Sequence, residues 1–241
     1  MGKFSQRDQF YTPAPLFLRG QIFEEEDSFR GRRNCVDQNS PLIHPFHTDV
    51  LNVFEQNLGK VLLADDVLKL SGDNCLKMTA KITTFLNEHV PLGGRVAVLF
   101  PPSAMQGLSI LSVISSGRVP VILNHWMDHH EVERLSQLRN FHAVIHGEII
   151  KRPEIDDLPS MRFSLGGKLE SVFKTDNKRA VPLPHPETAV VLFTSGSMGE
   201  PKAVALSKNG LSYIISTLIK YFQLGADSHA IITLQIGRAH V

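Results

Sequence analysis

The chain has 241 residues, 42% of them hydrophobic and 20% charged, with a formal net charge of +1. That composition can bury a core and excludes a chain disordered by composition, and the near-neutral charge argues against a protein built around nucleic-acid or membrane electrostatics. Cys35 and Cys75 supply neither a disulfide framework nor a CxxC pair, which fits a reducing cytoplasm, and no run approaches the ~18 apolar residues needed to cross a bilayer.

Residues 1–45 read as an irregular arm, with an acidic run at Glu24–Asp27 followed by Arg30, Arg32 and Arg33, a solvated pattern too short to argue a nucleic-acid site. Regular patterning begins near residue 47. LNVFEQN looks helical, VLLADDVLKLS predicts a strand or hairpin around an Asp65-Asp66 turn, and a helix is expected over Asp73–Glu88 with Leu76, Ala80, Ile82, Phe85 and Leu86 apolar. After Gly93-Gly94, RVAVLF reads as a buried strand; Pro101-Pro102 end it, and Ser103 can cap a helix carrying Leu108, Leu111 and Ile114 that stops at Gly117. VPVILN is a second strand, Asp128 can cap a helix with Val132, Leu135 and Leu138 on one face, and HAVIH is a third strand. Strand and helix alternating over short links predict a mostly parallel α/β sheet flanked by helices.

Beyond residue 150 the pattern is less regular. MRFSL suggests another strand, and the proline-rich AVPLPHPE is a connector no helix can cross. AVVLF and KAVALS then predict two strands flanking a polar stretch. Ser207 can cap a last helix, striped by Leu211, Ile214, Ile215, Leu218, Ile219 and Phe222 and ended by Gly225, before a strand at AIITL.

The polar stretch, Thr194–Lys202, is TSGSMGEPK. Gly196 and Gly199 allow close backbone approach, successive backbone N–H groups in such a loop can surround an anion, Thr194, Ser195 and Ser197 add hydroxyl donors, and Lys202 adds a point charge behind Pro201. The combination suits a polyphosphate. It matches neither the Walker loop nor GxGxxG, and an ordinary polar hairpin tip is the alternative. His125, Asp128, His129 and His130 lie close together, but adjacent histidines on a helix diverge and no HExxH is present, so polar residues at a strand–helix junction describe them better than a metal site. Asp65-Asp66 and Asp156-Asp157 read as turns rather than paired catalytic carboxylates.

TSGSMGEPKAVALS resembles the phosphate-loop motif of the adenylate-forming (AMP-binding) ligases, usually close to TSGSTGxPKGVxxSH, and GGRVAVLFPPSAMQGLSILSVISSGRVPVILN resembles the region that precedes it. The resemblance runs over roughly residues 60–235. RVPVILNHWM looks most like the bacterial acyl-CoA and acyl–acyl-carrier-protein synthetases. It implies an incomplete N-terminal part of the adenylation domain, at 46–235, and a two-step reaction: a carboxylic, fatty-type acid attacks the α-phosphate of ATP–Mg²⁺, and a thiol of CoA or acyl carrier protein takes the acyl group. By position, Thr194, Ser195, Gly196, Ser197, Met198, Gly199 and Lys202 would hold the phosphates, with Lys202 the catalytic group. Met198 stands where Thr is usual, Ala203 where Gly is, and Lys208 where His is. The junction at Trp126 lies toward the acyl side of the family's sheet, making that residue a pocket wall or, more simply, a core residue. The family's later motifs, which place the adenine, the ribose, the Mg²⁺-binding Glu and a second lysine, have no counterpart, and IGRAHV at 236–241 matches a translated sequencing adapter, so a non-native tail is expected there. A cytoplasmic protein without nucleic-acid partners, its parent able to associate peripherally with membranes, completes the expectation.

Overall fold

Apolar, β-branched runs have become strands and the runs of helical spacing have become helices. In the computed structural model they follow as α1 (Pro45–Gln56), β1 (Val61–Ala64), β2 (Lys69–Ser71), α2 (Gly72–His89), β3 (Arg95–Leu99), α3 (Ala104–Ser115) and β4 (Val119–Ile122). Then come α4 (His129–Gln137), β5 (Ala143–Gly147), β6 (Ser160–Phe163), β7 (Leu169–Phe173), β8 (Thr188–Phe193), β9 (Ala203–Ser207) and α5 (Lys208–Phe222). The structure describes residues 45–127, 129–137, 141–147, 158–175, 180–193 and 202–230, all within one unit, Ser40–Val241. The expected arm (apart from Pro45), Asp128, Leu138, Asp156-Asp157, residues 194–201, all but Ala230 of the strand expected at Ala230–Leu234, and the tail at 236–241 lie outside the described residues.

Seven strands form one sheet in the order β7-β6-β5-β3-β4-β8-β9, and β1 and β2 form a separate antiparallel pair. The pairs β6–β5, β5–β3, β3–β4 and β4–β8 are parallel; β7 and β9 join antiparallel at the two edges. The mostly parallel α/β sheet is as expected. The edge strand β7 is not among the expected elements: LESVF mixes charged and apolar residues and carries no strand periodicity a reader could isolate.

Central strands are mostly apolar because both their faces are covered, with Arg95 at the start of β3 and His146 in β5 among the exceptions. Val96, Val98 and Phe100 point into a core with Ile82 and Leu86 of α2 and Met105 and Leu108 of α3. Their neighbours Ala97 and Leu99 face the other way, toward Val132 and Leu135 of α4. The starts of α2, α3 and α5 have a local cause. Ser71 and Asn74 form a capping box on α2, and Ser103 and Ser207 cap α3 and α5 by accepting from the amides of Gln106 and Gly210. Gly72 lets α2 begin against the end of α1; a Cβ there would collide with the carbonyl oxygens of Phe54 and Asn57. Gly117 has φ +74°, a left-handed turn that sends the chain from α3 into β4.

One expectation about α5 is corrected. It ends at Phe222, capped by Gln223 in the left-handed region (φ 51°) with its amide on the Ile219 carbonyl, two residues before Gly225. Its apolar stripe is not a core face among the described residues. Leu211 packs on Ile114, Ile122, Ala189 and Val190, but Ile214, Ile215, Leu218, Ile219 and Phe222 remain 45–60% exposed. The cause is position: β9 is the sheet edge, and no described element lies beyond it.

Candidate active site

The sheet's connections diverge between β5 and β3, from which the chain goes on to β6 and to β4, and again between β4 and β8, beside the polar stretch. From β4 the chain passes through α4 to β5, on the far side of β3; from β8 it turns the other way, to β9. Such a divergence opens a crevice at the carboxyl ends of the two strands, where open α/β sheets take their ligands. The register Val121↔Val191 and Ile122↔Leu192 brings those ends level.

The polar stretch departs from this crevice. Phe193 ends β8 and pairs with Ala203 of β9, so the two strands expected at AVVLF and KAVALS are present and paired. Of the expected phosphate-holding residues, Lys202 is the one described; it is exposed, immediately before Ala203, at the carboxyl end of β8. Thr194, Ser195, Gly196, Ser197, Met198 and Gly199 lie outside the described residues.

The end of β4 forms the other wall. The Leu123 amide donates to the Val98 carbonyl at 3.0 Å, and the Asn124 carbonyl accepts from the Met127 amide at 2.9 Å. The Asn124 side chain accepts from the Trp126 amide at 3.1 Å. The His125 and Trp126 rings meet at 4.6 Å with a 37° tilt. Burial pushes the His125 pKa down, favouring the neutral ring. Trp126 is 73% exposed, which corrects its reading as a core residue: its neighbours in the chain go into the sheet and the indole does not.

A second place at this end of the sheet could attract an anion, the amino terminus of α3, but it is already filled. Asp65, in the β1–β2 turn, accepts from the Val67 and Leu68 amides at 2.8 and 2.7 Å and from the Ala104 amide at 2.8 Å. Burial raises its pKa, but the three amides outweigh that and leave it lowered. The turn expected at Asp65-Asp66 is therefore also a long-range cap on α3. Nothing in the local sequence signals it, since the partners lie 39 positions apart.

Two histidines, His146 buried and His142 half-buried, also escaped the sequence reading. The His142 Nδ1 accepts from the Arg95 amide at 3.2 Å, and the His146 Nδ1 donates to the Gly147 carbonyl at 3.1 Å. Desolvation lowers both pKa values; the Arg95 and Arg162 cations push the same way. Among the described residues no group of three His, Cys, Asp or Glu could hold a metal ion, and no helix there is long and apolar enough to cross a membrane.

Comparison with known proteins agrees with this architecture. The chain is 26% identical over 154 residues to novobiocin biosynthesis protein H of Streptomyces niveus, covering 61% of this chain and 26% of that protein. It is 30% identical over 139 residues to phenyloxazoline synthase MbtB of Mycobacterium tuberculosis, covering 56% of this chain and 9% of that protein. The chain thus spans about a quarter or less of these curated relatives. Its fold is shared with the o-succinylbenzoate CoA synthetase of Bacillus subtilis solved with its acyl-adenylate intermediate, at a TM-score of 0.59 and 15% identity over 78% of this chain and 50% of that one. The ATP-bound MatB of Rhodopseudomonas palustris gives a TM-score of 0.53 at 18% identity over 72% of this chain and 37% of that one. The model of the AMP-binding enzyme family matches residues 53–238. That match takes in the sheet, the crevice between β4 and β8 and the polar stretch between β8 and β9, and the chain belongs to the AMP-binding enzymes, the adenylate-forming ligases.

Proposed function

We propose that the protein activates a carboxylic acid with ATP and passes the acyl group to a thiol, and that the stretch 194–202 holds the departing pyrophosphate. The single observation that carries this reading is the β8–β9 pair, which sets the ends of a hydroxyl- and glycine-rich segment, with Lys202, at the divergence between β4 and β8 within the family match. In the first step a carboxylate oxygen forms a bond to the α-phosphorus while the bond from that phosphorus to the bridging oxygen breaks and pyrophosphate leaves. In the second a thiolate sulfur bonds to the acyl carbon and AMP leaves.

The chain's contribution is positioning and charge. Thr194, Ser195, Ser197 and the backbone amides at Gly196, Met198 and Gly199 would hold the β- and γ-phosphate oxygens, and Lys202 would offset the charge that grows on the leaving group. The carboxyl of Asp65 already occupies the amino terminus of α3, which supports placing the phosphates at β8 rather than there. Enzymes of this family use ATP and Mg²⁺; with no cluster of metal ligands among the described residues, no residue is assigned to the cation. We take the acid to be of the fatty type and the acceptor to be CoA or acyl carrier protein.

ATP–pyrophosphate exchange dependent on added carboxylates tests this. Exchange driven by medium-chain fatty acids is expected; exchange driven only by amino or aryl acids would replace the fatty-acid assignment. Met198 favours a second reading, a nucleotide-binding protein without activation chemistry, because one hydroxyl donor is missing from the loop. Nucleotide binding with no exchange for any acid would select it.

A further inference from the structure

Gln106 and Ser109 are polar residues in an apolar place. Both belong to α3 and both are buried, at 1% and 0% exposure. Gln106 reaches the residue that follows β3, Phe100, and Ser109 lies one turn further along the same helix face. The rest of that polar line is satisfied. Ser112, one turn on again, shares a 2.8 Å hydrogen bond with Thr79 of α2, and the Ser116 hydroxyl donates to the Val113 carbonyl at 2.7 Å. Gln106 Oε1 and Ser109 Oγ have no hydrogen-bond partner among the described residues. Buried polar groups are nearly always paired, so two neighbouring exceptions on one face call for a common cause.

The amide cannot resolve this by turning over. Its Nε2 donates to the Phe100 carbonyl at 3.2 Å, and a reversed amide would set Oε1 against that oxygen. The bond itself has a reason. The Val98 carbonyl takes the amide of Leu123, but the carbonyl of Phe100, two residues on, lies past the last residue of β4, Ile122. Gln106 supplies a donor where β4 no longer offers one. Oε1 is therefore an acceptor held in a fixed direction, and it needs a donor.

Size and distance narrow that donor. Neither orphaned atom is open to solvent, so the ligand must be one the protein can enclose. It must donate to Oε1 and also pair with a hydroxyl, which takes either role. Residues one turn apart on a helix have Cβ atoms about 5–6 Å apart, and two hydrogen bonds of about 2.8 Å end to end span roughly that distance. Ser109 and Ser112 also keep this face less bulky than the faces carrying Leu108, Ile110 and Leu111. We propose that one water molecule is a built-in part of this interface, donating to Gln106 Oε1 and bonded to Ser109 Oγ. It completes a polar seam from the end of β3 through α3 to Thr79 of α2 and fixes where β3 gives way to Pro101-Pro102.

Water–protein Overhauser spectra and water-proton relaxation dispersion on the full chain test the site, alongside unfolding equilibria of Ser109→Ala, Gln106→Met and the double variant. A water cross-peak to the Gln106 side-chain amide protons is expected in the parent, with one fewer long-lived water in Ser109→Ala. The unfolding constant of Ser109→Ala should rise about tenfold. In the Gln106→Met background the same serine change should have less than about a twofold effect, because the shared water is already gone. A missing cross-peak with a water count unchanged by Ser109→Ala overturns the site. Strong coupling of the two variants without any water signal also overturns it, in favour of a direct hydrogen bond between the side chains. Additive losses mean that the two atoms share no partner, and sink it as well. The Overhauser measurement needs no variant, so it decides the matter even if Gln106→Met fails to fold.

Discussion

Replacing Arg118 with methionine probes how the helical layer is locked to the sheet. Arg118 opens the link into β4 and is 4% exposed, and its hydrogen-bond partners among the described residues are the ends of two helices. Its Nη1 donates to the Ser116 carbonyl at 2.7 Å and to Asn87 Oδ1 at 2.8 Å, and its Nη2 donates to the Val90 carbonyl at 2.9 Å. Longer bonds run from Nε to Val90 at 3.3 Å and from Nη2 to Leu86 at 3.4 Å. The cation therefore sits where the α2 dipole is negative and satisfies carbonyls that the helix ends leave over. Methionine keeps much of the packing volume but orphans two buried acceptors, Val90 and Ser116, each costing about 1–3 kcal/mol, while Asn87 can turn to water. Relief of the desolvated guanidinium offsets part of this, so a net loss of about 3 kcal/mol is expected, or roughly 6–12 °C in Tm for a domain of this size. Arg118→Lys keeps the charge, reaches fewer carbonyls and should lose about half as much. Denaturant and thermal unfolding followed by circular dichroism measure both. A methionine variant within about 1 kcal/mol of the parent would refute the claim that these carbonyls depend on Arg118.

Gly72→Ala should cost about 2–3 kcal/mol, because its Cβ meets backbone oxygens of α1 that can yield only if the helices separate; a normal denaturation midpoint would show that α1 moves aside freely. Stability should also fall with pH below about 6.5, the ordinary histidine value. The folded pKa values of His142 and His146 are depressed by burial, so the unfolded chain binds the extra protons first, with a slope of at most about 1.4 kcal/mol per pH unit for each histidine until the folded values are passed. Asp65, whose folded pKa is lowered, adds its own loss only further into acid. A flat profile between pH ~6.5 and ~5 would contradict the histidine assignment. In the exchange assay Lys202→Ala should lower the rate about a hundredfold, and Met198→Thr should lower the KM for ATP; an unchanged KM would mean the missing hydroxyl is immaterial.

The extent to which the fold could be read ahead depends on the range of the causes involved. RVAVLF, VPVILN and AVVLF were legible as strands because burial on both faces forces continuous apolar runs, and Ser103 and Ser207 were legible as caps because capping is a contact over three residues. The left-handed cap at Gln223 was missed because Gly225 is the better local candidate and the choice is made by the carbonyl of Ile219. The bond from Ala104 to Asp65 and the exposure of Trp126 depend on elements distant in sequence, so no local pattern announces them. At the site, the residue types and the flanking strands were legible. The crevice was not, because it follows from the strand order β5-β3-β4-β8, which alternation alone leaves open.

That strand order also divides the site between a strong support and a weak one. β8 is buried along nearly its whole length, whereas β9 alternates exposed and half-buried and carries α5, most of which faces water among the described residues. Lys202 is attached to the weaker member. Local opening of an edge strand costs far less than global unfolding. The amides of β9 should therefore exchange with solvent about a hundredfold faster than those of β3, a difference near 2.7 kcal/mol in opening free energy. Exchange mass spectrometry on peptides covering 95–99 and 203–207 measures the ratio. Equal protection would mean that β9 and the apolar side of α5 are covered in solution, and the cover would then be what holds Lys202 steady at the end of β8.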